Sequence, residues 1–342
     1  MASRIKYSGV FTHGLTAALS CIAISISACQ NISSNSEEKI VGGSKDIPLN
    51  HPGFTSTVAI VYEDAPATDR TAACTGTVVA KNLILTAAHC IESENKDILN
   101  VYFTKNTENG AIVLKKIKVA DFRKFPKYLG GNGDLSFDMA WLKLAEPIPD
   151  FAVPVPILID DKLLASQIPV DLAGYGKITM TMSARPFEKR FVTVHIDKFY
   201  NKAPYHSLLL FREPEKGMCY GDSGGPLFIK ANEKWAVAGV TKGLMGRPLG
   251  ATGECKNAGI YTFPGMYIDW LEETSGTKLI HIGENKSEQI SKIWPKDSVT
   301  SIEQLCEKQE LSKSEHINLY SIQEFTGKVN CAEAIKLWKA KR

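Results

Sequence analysis

The feature that most narrows the fold is a succession of short apolar runs, each about the length of a strand and each broken by turn residues: "STVAIVY", "TGTVVA", "LILTAA", "AIVLKKIKVADF", "MAWLKL", "PVDLAGYG", "RFVTVHIDKFY", "LLLF", "WAVAGVT" and "AGIYTF". They are rich in Val, Ile, Thr and Tyr, whose branched or flat side chains suit a pleated surface, and they are too short for ordinary helices. The body is therefore predicted to be all-β, as a barrel or a sandwich. In mid-chain, "EPIPDFAVPVPIL" alternates proline with other residues, which removes amide donors and forces an extended connection between two halves. Towards the end "PGMYIDWLEETSG" changes period. It sets Met266, Tyr267, Trp270 and Leu271 on one helical face, with Gly276 as the cap.

The two ends have a different composition. Arg4 and Lys6 precede an uncharged, mostly apolar run from Leu15 to Ala28, the pattern of an export signal over residues 1–28. The run closes on "ISAC", which resembles the lipobox of bacterial lipoproteins and makes Cys29 a candidate lipidation site; ordinary secretory cleavage near Ala28 is the alternative. A diacylated Cys29 would tether the protein to a membrane surface without a spanning helix, and residues 29–39 would be a polar leash. An exported product, periplasmic, anchored to an outer membrane or extracellular, is the expectation. Elsewhere no apolar tract reaches the roughly 18 residues a membrane span needs, and a net charge of +3 is too small to suggest a nucleic-acid partner. Beyond residue 276 the chain turns polar and lysine-rich. Helices around 302–309 and 332–341 are predicted for this 277–342 extension, the alternative being a disordered tail.

Of eight cysteines, Cys21 lies in the export signal and Cys29 at its end, leaving Cys74, Cys90, Cys219, Cys255, Cys306 and Cys331. An even set in an exported chain reads as a disulfide framework, though many pairings are open to it. A Cys306–Cys331 bridge would staple an extension too poor in apolar residues to hold a core.

Three short strings carry chemistry. "TAAHC" puts His89 at the end of an apolar strand, "FDMAWLKL" puts Asp138 at the start of another, and "CYGDSGGP" surrounds Ser223 with glycines. Taken singly, the histidine and the aspartate are ordinary structural residues. A nucleophilic serine, however, needs flanking glycines, so that backbone N–H groups can converge on a developing oxyanion and a substrate carbonyl can approach. A fourth string, "KIVGG", places a cuttable Lys39 before Ile40; an amine freed there could be buried only against a waiting carboxylate.

With these strings in the order "IVGG", "TAAHC", "DMAWLKL", "GDSGGP", the chain resembles the trypsin/chymotrypsin-like serine proteases over residues 40–276. The resemblance implies two packed six-stranded antiparallel β-barrels with a C-terminal helix, here followed by a small, mainly helical extension. It implies a secreted endopeptidase acting on polypeptides through an acyl-enzyme, with His89, Asp138 and Ser223 as the triad and the N–H groups of Gly221 and Ser223 as the oxyanion hole. It further implies a zymogen. An activating protease would cut Lys39–Ile40, and the new Ile40 amine would pair with Asp222. The family's bridges would join Cys74 to Cys90 and Cys219 to Cys255.

Carried over residue by residue, the substrate-binding positions are Gly217 at the pocket base, Gly243 and Gly259 on its walls, and Thr241 on the strand beside it. No acid stands at the base. Large apolar or aromatic residues are therefore expected before the cut, in preference to Arg or Lys. The chain departs from the family in reading Thr241–Lys242–Gly243 where Ser-Trp-Gly is usual, and in its longer "LMGRPLGATGE" loop. No cofactor or metal ligand spacing is evident. The competing expectation is a protease-fold binding or adhesion protein without activity; an esterase or self-processing factor would share the same mechanism.

Overall fold

The computed structural model describes residues 40, 43–64, 71–91, 95–126, 128, 137–177, 187–200, 208–211, 213, 216–244, 255 and 259–283. The expected export signal, Cys29, Lys39, Cys306, Cys331 and the expected helices of the extension lie outside these residues.

The apolar runs become strands. The first half is a closed barrel in the order β1-β2-β3-β6-β5-β4, built from β1 (Thr57–Tyr62), β2 (Cys74–Ala80), β3 (Leu83–Thr86), β4 (Leu99–Thr107), β5 (Gly110–Lys124) and β6 (Ala140–Leu144). All its neighbouring pairs are antiparallel. Closure removes the open sheet edges, and the near-continuous burial of β1 and β3 shows why those runs lack polar alternation.

The second half uses β7 (Ile157–Leu158), β8 (Pro169–Gly174), β9 (Arg190–His195), β10 (Lys198–Tyr200), β11 (Leu208–Phe211), β12 (Pro226–Ala231), β13 (Lys234–Leu244), β14 (Gly259–Thr262) and β15 (His281–Ile282). Its main path runs β10-β11-β14-β13-β12-β8-β9. Only Ile196 and Asp197 separate β9 from β10, so the two ends of the path are consecutive in the chain. The result is one closed antiparallel barrel and a second, mostly antiparallel sheet of nine strands in which β7 pairs in parallel with β13 and β15, consistent with the two-part fold the resemblance implied.

The proline-rich connector runs between the halves, with Val153 N–H donating to Thr55 O and Val155 N–H to Val78 O of the first barrel. It then pairs in parallel as β7 with β13 of the second. After the turn Pro264–Tyr267, helix α2 (Ile268–Ser275) packs onto the first barrel: Trp270 and Tyr267 meet Phe125 edge-on at 5.1 and 4.9 Å, and Trp141 Nε1 donates to Thr274 Oγ1. Gly276 ends the helix at φ 66°, a conformation that favours glycine, with its N–H on Glu272 O. Thr277–Gly283 continue onto the body, burying Leu279 and pairing β15 with β7. A short helix α1 (Pro52–Thr55) and the strands β4 and β12 were not among the expected elements.

Candidate active site

The pairing of β3 with β6 puts Thr86 opposite Ala140, so the residues just beyond these ends come together. His89 lies in the turn Ala88–Cys90, tied to β2 by the Cys74–Cys90 disulfide. Asp138 precedes β6 and is fully buried. Its Oδ2 lies 2.7 Å from His89 Nδ1, and its Oδ1 accepts the His89 backbone N–H at 2.9 Å, so one carboxylate fixes both the ring and its peptide. Burial works to raise the Asp138 pKa, but the hydrogen bonds and charge of His89, together with the charge of Lys242, hold it below the usual range. An ionised Asp138 facing Nδ1 selects the Nδ1–H tautomer and leaves Nε2 its lone pair. Phe137, next to Asp138, holds φ 59°, a strained backbone for a bulky side chain.

Ser223 comes from the second barrel, just ahead of β12. Its carbonyl accepts Thr75 N–H at 2.8 Å across the interface between the barrels. Thr75, on β2, bolts the loop a second time: its Oγ1 donates to Gly221 O at 2.8 Å and accepts Tyr175 N–H at 3.2 Å, while its carbonyl accepts Thr86 Oγ1. Gly224 has φ 77°, and a Cβ there would stand 2.1 Å from Thr86 Oγ1, so that position admits no side chain. Its N–H donates to Thr241 O, and Thr241 N–H and Oγ1 both donate to Gly225 O. By contrast, the N–H groups of Gly221 and Ser223 meet no acceptor among the described residues. No hydrogen bond joins Ser223 to His89 among the described residues, and Nε2 lies 3.9 Å from Cys90 Sγ; in unliganded hydrolases this contact is often made only with substrate bound.

Asp222, between those two amides, points the opposite way and is buried. Its Oδ1 accepts Gly176 N–H and its Oδ2 accepts Cys219 N–H, both at 2.8 Å. Burial nevertheless pushes its pKa up to about 7, the two amide donors opposing the shift. Ile40 is 1% exposed, its side chain within the main core and its carbonyl accepting Gly43 N–H.

Of the expected pocket residues, Gly217, Gly259 and Thr241 are buried, and a Cβ on Gly243 would meet nothing within 4 Å; Met218, beside Gly217, is buried as well. A Cβ on Gly259 would lie 2.7 Å from the ring of Tyr261, which backs that wall. The Cys219–Cys255 disulfide braces this region. Along β13, pairing with β12 stops at Val240, so from Thr241 to Leu244 one edge has no strand beside it among the described residues. An extended peptide can add there as a further strand. Cys74, His89 and Cys90 place their donor atoms within 4.8 Å of one another, but the two sulfurs are bonded together, which leaves a single imidazole.

Sequence reasoning missed Thr75, Thr86, Gly174, Tyr175 and Gly176. Only the glycines of "GYG" could have suggested a close approach there.

The trypsin family model matches residues 40–271. Among curated relatives, "Trypsin Blo t 3" of Blomia tropicalis is 27% identical over 58% of this chain and 76% of its own length. Chymotrypsin-like elastase family member 1 of Homo sapiens is 23% identical over 68% of this chain and 91% of its own. Chymotrypsin-C of Mus musculus is 24% identical over 70% and 90%.

Proposed function

The chain belongs to the trypsin family, and we propose that it is a working serine endopeptidase, exported and made as a zymogen. The observation that carries this reading is the conjunction of the Asp138–His89 pair with two unengaged amides, Gly221 and Ser223, on the loop that presents the nucleophile. His89 Nε2 takes the Ser223 Oγ proton as the oxygen attacks the scissile carbonyl, and Asp138 stabilises the imidazolium that forms. The Gly221 and Ser223 amides receive the oxyanion. Collapse passes the proton to the leaving amine and forms an acyl-enzyme, which water then hydrolyses by the same route.

Activation follows from Asp222. A buried carboxylate supported only by amide donors is an incomplete ion pair, and the α-amine released by cleavage at Lys39–Ile40 would complete it. That pairing would set the adjacent Gly221 and Ser223 amides. The uncharged base at Gly217 and the open space at Gly243 support large apolar or aromatic residues at P1, the residue whose carbonyl is attacked. The export signal and the lipobox at Cys29 support release through, or attachment to, a membrane. No helix among the described residues is long and apolar enough to cross one.

The test is reaction with a fluorophosphonate probe before and after limited trypsin treatment, with mass spectrometry of the new N-terminus. Labelling of Ser223 once Ile40 is exposed, and turnover of Phe-P1 over Arg-P1 peptides, is the expected result. A confirmed Ile40 terminus without labelling would point to the inactive binding protein instead.

A further inference from the structure

Lys242 stands at a bulge. In the pairing of β13 with β14, Thr241 faces Tyr261 and Gly243 faces Ile260, so Lys242 is the extra residue between them. A bulge of this kind turns a side chain away from the regular alternation and is common beside active sites. The direction is recorded by two neighbours: the Lys242 ammonium stands 6.0 Å from the centre of the Tyr128 ring, which precedes Asp138 in the chain, and its charge is felt by Asp138 itself. The cation thus lies on the Tyr128 and Asp138 side of the β13 edge.

A peptide added along the β13 edge beyond Val240 alternates its side chains between two faces. If P1 enters the glycine-lined pocket, the residue before it, P2, and by the same repeat P4, face the opposite side, to which the alternation of Lys242 with the pocket residue Gly243 and the turn of Lys242 towards Tyr128 assign the cation. Resting on the proposed peptidase function, we infer that Lys242 is a specificity determinant that selects an acidic side chain at P2 or P4 of the substrate. The Tyr128 ring, 6.0 Å from the ammonium, offers it a cation–π contact. An apolar P2 gains no contact with the cation, and a basic one is repelled.

The test uses the full chain cut at Lys39–Ile40 and active-site titrated, with three peptides that share an aromatic P1 and differ at P2 as Glu, Gln or Lys, and a matched set varied at P4. For one of the two positions, the Glu peptide is expected to exceed Gln by about five-fold in kcat/KM, the size an exposed to half-buried ion pair allows, with the Lys peptide lowest. The preference should shrink in 0.5 M salt, disappear in Lys242→Gln and invert in Lys242→Glu. Since each ratio is taken within one enzyme, partial misfolding of a variant does not affect it. Equal rates for Glu, Gln and Lys at both positions overturn the inference while leaving the peptidase function intact. Binding of the same peptides to the Ser223→Ala chain, read by fluorescence anisotropy, separates the two further. Selective binding of the Glu peptide without hydrolysis by the parent chain would uphold Lys242 and remove the peptidase function; non-selective binding would remove the role of Lys242.

Discussion

The carboxylate of Asp222 occupies the space that a side chain on Gly176 would need: a Cβ built on Gly176 lies 2.3 Å from Oδ2 and 2.4 Å from Cγ, while the Gly176 N–H holds Oδ1 at 2.8 Å. Gly174 does the same from the other side, its Cβ position falling 2.1 Å from Oδ1. Gly176→Ala should therefore push Asp222 out of its slot. We expect a loss of about 1–3 kcal/mol in stability, and at least a ten-fold fall in fluorophosphonate labelling of Ser223, because the displaced carboxylate carries the Gly221–Ser223 amides with it. Undiminished labelling would mean that the loop is not held through Asp222.

The same carboxylate should give the uncut chain an unusual pH dependence. A carboxyl that titrates at 3.8 when exposed and at about 7 when buried binds more protons in the folded than in the unfolded chain between those values. Stability from this group therefore falls as pH rises from about 4 to 7. Urea unfolding at pH 5 and pH 7 should show that fall in the uncut parent and not in Asp222→Asn. Cleavage at Lys39–Ile40 should abolish it, since the new amine lowers the Asp222 pKa; equal slopes in parent and variant would contradict the assignment.

Lys189 behaves in the opposite sense. Buried, it donates from Nζ to Phe54 O and Thr57 O, each at 2.8 Å, and burial lowers its pKa to about 7. Between about 7 and 10.5 the unfolded chain holds the extra proton, so this group makes the fold more stable as pH rises through that window. The difference in unfolding free energy between parent and Lys189→Met should accordingly grow in the parent's favour from pH 7 to pH 10. A difference that stays flat would place the ammonium in contact with solvent.

Asp138→Asn removes the charge and the acceptor that fix the His89 tautomer. In trypsin itself a wrongly held tautomer costs on the order of 10⁴-fold in kcat, and a loss of that order is expected here with the fold retained, measured on a peptide with an aromatic P1. A loss below ten-fold would leave His89 without its role as base.

Thr75→Val keeps the shape of the side chain but deletes the hydroxyl that reaches Gly221 O and Tyr175 N–H. Leaving these buried groups unpaired should cost about 1–3 kcal/mol, and kcat should fall more than KM rises, because the Gly221 amide would lose its support. An unchanged kcat would show that the oxyanion side is held by the second barrel alone.

The contact of His89 with Asp138 was legible because each lies in a short string whose neighbours serve that one residue. The helix was legible as well, since its period and its glycine cap are local. What stayed hidden depends on register across long separations. Thr75 reads as one more strand threonine until β2 is laid beside the Ser223 loop, and Lys189, inside "EKRF", reads as a solvated charge. His51 and Asp171 are another instance. They lie 120 residues apart and form a buried 2.8 Å contact, with His51 Nδ1 already accepting Gly53 N–H, so this second histidine–aspartate pair has no free lone pair for catalysis. Such pairs cannot be told from reactive ones until the other ring nitrogen is accounted for.

The bridge between Ser44 and Phe191 fixes the chain just beyond the cut proposed at Lys39–Ile40. With Ser44 pinned, a terminus freed at Ile40 is only four residues from its anchor and can range over about 14 Å at most. One amine confined to that radius corresponds to a local concentration on the order of 0.1 M. In the proposed activation, capture by Asp222 would then be a unimolecular search over a small volume, indifferent to how dilute the protein is.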